Sequence, residues 1–271
     1  MTALAWAELS SPQLAALRGP STIAVLPVAA VEQHGPHLPV GTDLFIAQGY
    51  LARIRPLVPD ELKVVILPIQ AVGKSDEHQS YAGTLTLEPE TALRAWIELG
   101  AAVHRAGIRR LVLMNTHGGN VPVIDLVART LRVRFGLLVV MASMHRFGYP
   151  DGLFDPAERA HGIHGGDIET SLMLAFRPDL VDMGQARNFA PWSIGMESEF
   201  AQLRANHPIG FGWMSQDLSP AGAMGDARLA TAAKGAAAAA YGAHAFIALL
   251  QDVARFDLTR LENRPEGEDL P

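Results

Sequence analysis

The sequence predicts an α/β protein whose core is a mostly parallel β-sheet. Short apolar runs bounded by turn-forming residues alternate along the chain with longer segments of helical periodicity. Strands that alternate with helices form βαβ units, in which successive strands run parallel. The chain has 271 residues, of which 49% are hydrophobic and 18% charged, a composition typical of globular proteins. No linker or low-complexity tract divides it, so we expect one domain over residues 1–271.

Four strands are predicted from continuous apolar runs, the pattern of strands that are buried on both faces. They lie at Ile23–Val28, Val64–Ile69, Arg110–Asn115 and Leu137–Ala142. In a parallel sheet the carboxyl ends of the strands share one edge, and ligands of open α/β sheets bind there. Polar side chains that follow these strands are therefore the first candidates for a functional site.

Five helices are predicted between and around the strands. They lie at Ser11–Arg18, Leu44–Leu57, Glu88–Ala106, Asn120–Arg134 and Ala227–Leu250. Pro89 and the acids around it start the third helix, and Gly107 ends it. The last helix is rich in alanine but too polar for a membrane span, so we expect it to pack on the body of the protein. Residues 182–226, rich in glycine and proline, predict no clear element.

The composition excludes several classes of function. The net charge is −6 and the basic residues are scattered, which argues against a nucleic-acid groove. The chain has no cysteine, which excludes disulfides, thiolate nucleophiles and cysteine-based zinc sites, so a metal site would use His, Asp and Glu. The first residues lack the basic and continuous apolar segments of a signal peptide. We expect a cytoplasmic enzyme with a small-molecule substrate and no nucleic-acid or membrane partner.

The loop after the first predicted strand is the most informative part of the chain. It places Glu32, His34, His37 and Asp43 among glycines and prolines. Glu32 and His34 are two residues apart, so they point the same way if the strand continues that far. Carboxylates and imidazoles at a strand end are typical of a divalent metal site. The alternative is a set of ordinary loop acids and surface histidines.

Two further loops also place a histidine beside glycine. His117 follows the third predicted strand, and His164 precedes Glu169 in a later loop. One or two divalent ions held by such groups would lower the pKa of a bound water, giving a hydroxide nucleophile, and would polarise a carbonyl. The alternatives are that His117 caps the following helix and that Glu169 is a first-turn acid favoured by the helix dipole.

Three segments together resemble the creatininase (creatinine amidohydrolase) family. They are EQHGPHLPVGTD at residues 32–43, NTHGGN at 115–120 and HGGDIETS at 164–171. Residues 77–84 and 225–226 fit the pattern too, and the resemblance runs from about Ile23 to about Leu250. It implies a three-layer α/β/α sandwich that assembles as a homohexamer. It also implies hydrolysis of a C–N bond, usually in a cyclic amide or formamide-like substrate.

The resemblance also implies two divalent ions per subunit, zinc or manganese, with iron as a further candidate. Glu32, Asp43 and His117 would hold one ion. His34 and Asp43 would hold the other, so that Asp43 bridges the two. His164 corresponds to the family's catalytic histidine, which shuttles a proton to the leaving nitrogen.

The sequence departs from true creatininases at two places. Gly119 stands where they carry a glutamate ligand of the second ion, and Glu169 is the best replacement. Residues 146–163 contain no tryptophan, whereas true creatininases close tryptophans from this segment over creatinine. The resemblance is therefore to a member of the family other than true creatininase.

Other functions stay open at this point. A family member could hydrolyse a C–C bond of a cyclic sugar ketone, or could keep the metal and have lost most catalysis. A dinuclear phosphoesterase would need basic side chains near the centre. Lys74 and Arg146 are the only candidates that lie near it in sequence.

Overall fold

A five-stranded parallel sheet forms the centre of the computed structural model, which describes residues 3–261. Its strands are β1 (Leu4–Ala5), β2 (Gly19–Val28), β3 (Lys63–Ile66), β4 (Ile108–Asn115) and β5 (Leu138–Ser143). They lie in the order β1-β3-β2-β4-β5, and every neighbouring pair is parallel. A second, antiparallel sheet pairs β6 (Asn188–Phe189) with β7 (Gly225–Asp226). The predicted parallel sheet is confirmed, with β2 at its middle and β3 and β4 on either side of it.

The α-helices surround the sheet. They are α1 (Ser11–Ala16), α2 (Thr42–Ile54), α3 (Pro89–Arg105), α4 (Val121–Phe135), α5 (Pro156–His161), α6 (Asp167–Phe176), α7 (Ser193–Glu199), α8 (Ser215–Leu218) and α9 (Ala232–Arg255). The helix predicted from Ala227 begins later, because residues 227–229 form a separate 3-10 turn. Thr231 then caps α9, its hydroxyl accepting the Lys234 N–H at 3.2 Å.

Two hydrophobic layers enclose the sheet, one on each face. Ile23 and Val25 of β2 pack with α2, α6 and α9, whereas Ala24 and Leu26 pack with α3 and α4. This division follows from the alternation of side chains along a strand. The three-layer α/β/α architecture is confirmed, and it leaves the carboxyl edge of the sheet to be covered by loops.

The prediction that this helix is too polar for a membrane span is wrong, because α9 is long and apolar enough, by length and composition alone, to cross one. Its buried face, which includes Gly235, Ala239 and Phe246, joins the core cluster beneath α2 and α6. A β-carbon at Gly235 would lie 1.8 Å from the carbonyl oxygen of Ser171 in α6, so glycine permits a very close approach of the two helices. The helix therefore packs as a core element, as predicted.

Residues 182–226, for which the sequence predicts no element, fold over the carboxyl edge of the sheet. They contain β6, α7, α8 and β7. Met224 exchanges two backbone hydrogen bonds with His164, of 2.6 and 3.3 Å. This segment therefore fixes the loop that carries His164, and part of it lines the cavity described below.

Candidate metal centre and active site

The predicted site residues come together at the carboxyl edge of the sheet. Glu32 and His34 follow β2, and His117 follows β4. Asp43 lies in the first turn of α2, and Glu169 in the first turn of α6. Each of the first four is at least 96% buried, since the exposed fractions are 1% for Glu32, His34 and Asp43 and 4% for His117. His164, in the loop before α6, is 5% exposed.

Two groups of donor atoms form around Asp43. In the first, His117 Nδ1 lies 3.1 Å from Glu32 Oε1 and 3.4 Å from Asp43 Oδ2. In the second, His34 Nε2 lies 3.9 Å from Asp43 Oδ1 and 3.6 Å from Glu169 Oε2. The donor atoms within each group lie within 4.8 Å of one another. The two groups share Asp43, as expected of a bridging carboxylate.

Backbone carbonyls orient three histidine rings of the site. His34 Nδ1 donates to the Glu32 carbonyl at 3.0 Å, and His117 Nε2 donates to the Lys74 carbonyl at 2.9 Å. His164 Nε2 donates to the Gln33 carbonyl at 2.5 Å. In each ring the other nitrogen, which is Nε2 of His34 and Nδ1 of His117 and His164, therefore faces the carboxylates. This arrangement is the usual second layer of contacts around metal-binding histidines.

Three inward-facing atoms have no hydrogen-bond partner within residues 3–261. They are Glu32 Oε1, His34 Nε2 and Asp43 Oδ2, all fully shielded from solvent. Buried polar atoms without partners are rare and costly. A divalent cation would pair with all three, and mixed oxygen and imidazole donors suit zinc or manganese. The residues present therefore fit a metal centre.

The pKa shifts of the acids reflect crowded negative charge. Burial raises the pKa of Asp43, and the neighbouring charge of Glu32 raises it further. Burial also raises the pKa of Glu169. Burial acts to raise the pKa of Glu32, but the charge of His117 outweighs it and holds this pKa well below its usual range. Without cations, protons must offset this charge, so metal and protons compete for the same site.

The histidines divide into one charged and two neutral rings. Burial lowers the pKa of His117, but the charges of Glu32 and Asp43 outweigh it and raise the pKa to about 10. Burial lowers the pKa of His34 and of His164 to about 4. His164 is therefore neutral at pH 7, and its Nδ1 lies 3.6 Å from Glu32 Oε1.

His164 also has the geometry of a ligand, because its Nδ1 belongs to a third group of donor atoms with Glu32 and His34. Its ring centroid lies 4.0 Å from that of His34. Its position therefore agrees with a catalytic role and with a metal-binding role. The two roles predict different metal contents after its removal.

Close packing around Gly119 explains the departure at that position. A β-carbon there would lie 2.3 Å from Glu77 Oε1, 2.4 Å from His117 Nε2 and 2.6 Å from the Lys74 carbonyl oxygen. No glutamate fits at this position without displacing the carbonyl that orients His117. Glu169 instead approaches His34 from α6, and its Oε2 also accepts the Gly165 N–H at 2.6 Å.

A cavity of about 1240 Å³ opens onto the centre. Glu32, Asp43, His117, His164 and Glu169 line its inner end. Residues that line the remainder include Tyr50, Tyr149, Arg146, Arg159, Arg204 and Trp213. Trp213 comes from residues 182–226, for which the sequence predicts no clear element. The cavity is therefore lined by a tryptophan, although residues 146–163 contain none. Lys74 pairs with Glu77 at 2.9 Å and with Asp76 at 3.5 Å, which leaves it poorly placed to bind a phosphate.

Sequence reasoning did not assign three further residues of the site. The Ser75 hydroxyl donates to Glu32 Oε2, and His78 Nε2 lies 3.5 Å from Glu32 Oε1. The Gln33 side chain contacts His78 Nδ1 at 2.7 Å. Burial lowers the pKa of His78 to about 2, so its ring is neutral. Ser75 and His78 follow β3, which neighbours β2 in the sheet, and the sequence carries no local signal of that neighbourhood.

Comparison with known proteins identifies the family of the chain. The model of the creatininase family, described as creatinine amidohydrolase, matches residues 7–250. The "Mycofactocin precursor peptide peptidase" of Mycobacterium tuberculosis is 30% identical over 271 aligned positions, covering 96% of this chain and 94% of the relative. The "Creatinine amidohydrolase" of Pseudomonas putida is 32% identical over 189 positions, covering 62% of this chain and 70% of the relative.

A solved structure named "Creatininase Mn" superposes with a TM-score of 0.72 at 25% identity, covering 92% of this chain and 98% of the other. The family match extends over most of the chain and includes every segment that supplies a residue of the site. The chain is a hydrolase of the creatininase family.

Proposed function

We propose that the protein is a metal-dependent amidohydrolase that cleaves the C–N bond of a small amide substrate. The observation that carries the proposal is the convergence of Glu32 Oε1, His34 Nε2 and Asp43 Oδ2 beside an open cavity. All three are buried and without a hydrogen-bond partner in the described part of the chain. Such a centre has donors for cations and space for a substrate next to them. Membership of a family of hydrolases supports the same reaction class.

The centre would hold two divalent ions. Glu32, Asp43 and His117 would bind one, and His34, Asp43 and Glu169 the other. When bound, such ions lower the pKa of a water molecule and polarise the carbonyl that is attacked. Zinc and manganese are both proposed, with iron as a further candidate, because each accepts mixed nitrogen and oxygen ligands.

His164 would move the proton that amide hydrolysis requires. Its Nε2–H is held by the Gln33 carbonyl, which fixes the ring and leaves Nδ1 as the free base. Because the ring is neutral, Nδ1 can accept a proton near Glu32 and deliver it to the leaving nitrogen. Transfer of that proton converts a poor amide leaving group into a neutral amine.

The cavity favours a substrate larger than a single ring. Its volume of about 1240 Å³ exceeds the roughly 300–1,000 Å³ of most small-molecule sites. We therefore propose peptide-derived amides as the first substrate class, which the name of the mycobacterial relative also supports. Cyclic amides and formamide-like compounds are the second class, supported by the name of the Pseudomonas relative.

Metal analysis followed by a substrate screen tests the proposal. The purified protein is analysed for bound zinc, manganese and iron. It is then assayed on short peptides, lactams, formamides and, as a different bond class, cyclic ketones. We expect bound metal and release of an amine from an amide. A metal-free protein, or a metal-loaded one that opens only cyclic ketones, would contradict the proposal.

We expect creatinine to be a poor substrate. Gly119 leaves no room for the glutamate of true creatininases, and no tryptophan in residues 146–163 can close over the ring. Creatine formation by the metal-loaded enzyme should therefore stay far below the turnover of about ten per second that is ordinary for enzymes. Turnover at that level would show that neither difference governs the choice of substrate.

We expect the protein to form an oligomer, and propose a homohexamer. The outer face of α9 exposes small and apolar residues that another subunit could cover; they are Ala237, Ala240, Tyr241 and Ala248. Light scattering at micromolar concentration should give a mass several times that of the 29.1 kDa chain. A clean monomer with its metal still bound would refute the prediction.

We also propose a cytoplasmic location and a small-molecule partner, without nucleic acid or membrane. The net charge of −6 and the absence of a continuous basic run support the first exclusion. The packing of α9 against α2 and α6 supports the second. The first exclusion predicts that the protein elutes from a heparin column without added salt. The second predicts that it is recovered in the soluble fraction.

A further inference from the structure

Four histidine rings surround the carboxylate of Glu32, and their hydrogen bonds determine which ring nitrogen each presents to the site. Three of them, His34, His117 and His164, donate from one nitrogen to a backbone carbonyl. Because a carbonyl can only accept, the other nitrogen of each neutral ring presents a lone pair. The fourth ring, His78, has a different kind of partner.

The partner of His78 is an amide group whose orientation is fixed on both sides. Gln33 Oε1 lies 2.9 Å from the Gly35 N–H, and Gln33 Nε2 lies 2.9 Å from the Gly222 carbonyl oxygen. The reversed amide would oppose donor to donor at Gly35 and acceptor to acceptor at Gly222. Gln33 Nε2 is therefore the donor end, and it lies 2.7 Å from His78 Nδ1.

It follows that His78 Nδ1 accepts a hydrogen bond and that His78 Nε2 carries the ring proton. This Nε2 lies 3.5 Å from Glu32 Oε1, which is longer than an effective hydrogen bond. The ring is 2% exposed, lines the cavity, and stacks on His164 with 4.1 Å between centroids. An N–H group therefore lines the cavity, and within residues 3–261 it has no short acceptor.

We propose that His78 is a catalytic hydrogen-bond donor and not a metal ligand. This role rests on the proposed amide hydrolysis, in which the Nε2–H of His78 would donate to the carbonyl oxygen of the substrate. A preorganised donor in a buried site stabilises the negative charge that develops on this oxygen. Among the neutral rings around Glu32, which are His34, His78 and His164, His78 is the one whose contacts orient an N–H, and not a lone pair, toward the site.

The tautomer is the first test, and it needs no substrate. Long-range proton–nitrogen NMR spectra of the zinc-loaded, full-length protein identify which nitrogen of each histidine is protonated. The His78 signals are assigned by their loss in His78→Gln. We expect a neutral ring with the proton on Nε2. A proton on Nδ1, or a zinc-bound Nε2, would overturn the proposal.

Two substitutions at His78 form the second test. His78→Phe keeps an aromatic ring against His164 but removes the N–H, and His78→Gln keeps a neutral donor. We expect both to retain the metal content of the parent. On an amide substrate, kcat should fall about 10²–10³-fold in the Phe variant with little change in KM, and less in the Gln variant. His104→Phe is the matched control, because His104 stacks on Phe135 and is not among the residues that line the cavity.

Parental kcat in His78→Phe would overturn the donor role, and loss of metal in both variants would show that His78 is a ligand. These failures differ from a failure of the proposed function. If the parent protein hydrolyses no amide, the proposed function is wrong, whatever the NMR spectra show. If the parent hydrolyses an amide and both variants hydrolyse it with the kcat of the parent, only the assignment of His78 is wrong.

Discussion

Replacing Asp43 with alanine is expected to empty both metal positions at once. Its two carboxylate oxygens face different groups of donors, with Oδ2 near His117 and Oδ1 near His34. Loss of a bridging ligand weakens the binding of both ions. The metal content measured by elemental analysis should therefore fall from about two ions per subunit to near zero. The side chain is buried, so circular dichroism must show that the variant is folded.

Asp125→Ala is the control for this experiment. Asp125 lies on α4, where it forms an exposed ion pair with Arg129 at 3.0 Å, away from the cavity. We expect this variant to keep its full metal content. Asp43→Ala with undiminished metal content would refute the bridging assignment, and retention of one ion of the two would restrict Asp43 to a single position.

Replacing His164 with alanine is expected to leave the metal in place and to remove most of the turnover. A positioned acid–base group typically contributes about 10²–10⁴-fold to the rate, so kcat should fall by that range on any substrate found. The measurement pairs metal analysis with steady-state kinetics. His104→Ala should change neither quantity, because His104 stacks on Phe135 of α4 and is not among the residues that line the cavity.

The metal content of His164→Ala decides between the two roles that its position allows. Loss of metal would assign His164 Nδ1 to the group that it forms with Glu32 and His34. Retained metal with activity within a few-fold of the parent would leave His164 neither ligand nor acid–base group. Only retained metal with low turnover agrees with the proposed proton transfer.

The parts of the site that follow long strands were predictable from the sequence. β2 and β4 are buried on both faces and therefore appear as continuous apolar runs. Polar residues directly after them, such as Glu32, His34 and His117, must meet at one edge of a parallel sheet. Asp43 could be placed in the same way, because it lies at the start of the helix that follows β2.

The order of the strands in the sheet was not predictable from the sequence, and the residues of the site that follow β3 were therefore not identified. β3 lies beside β2, so the loop after it brings Ser75 and His78 to Glu32. No local feature of the sequence indicates that β2 and β3 are neighbours. The short elements of residues 182–226 are stabilised by contacts with distant segments, such as the hydrogen bonds between Met224 and His164, and so leave no periodic pattern. Trp213 could not be placed in the cavity for the same reason.

A bound ion would act as a cross-link, because its ligands lie in different segments of the chain. The ligands come from three segments far apart in a chain that has no disulfide, with Glu32 and Asp43 in the first, His117 in the second and Glu169 in the third. An ion that binds only the folded state adds about 2.7 kcal/mol to the free energy of unfolding at a hundred times its dissociation constant. The melting temperature would therefore rise with metal concentration and fall with a chelator, and the metal supply of the cell would then influence how much of the protein stays folded.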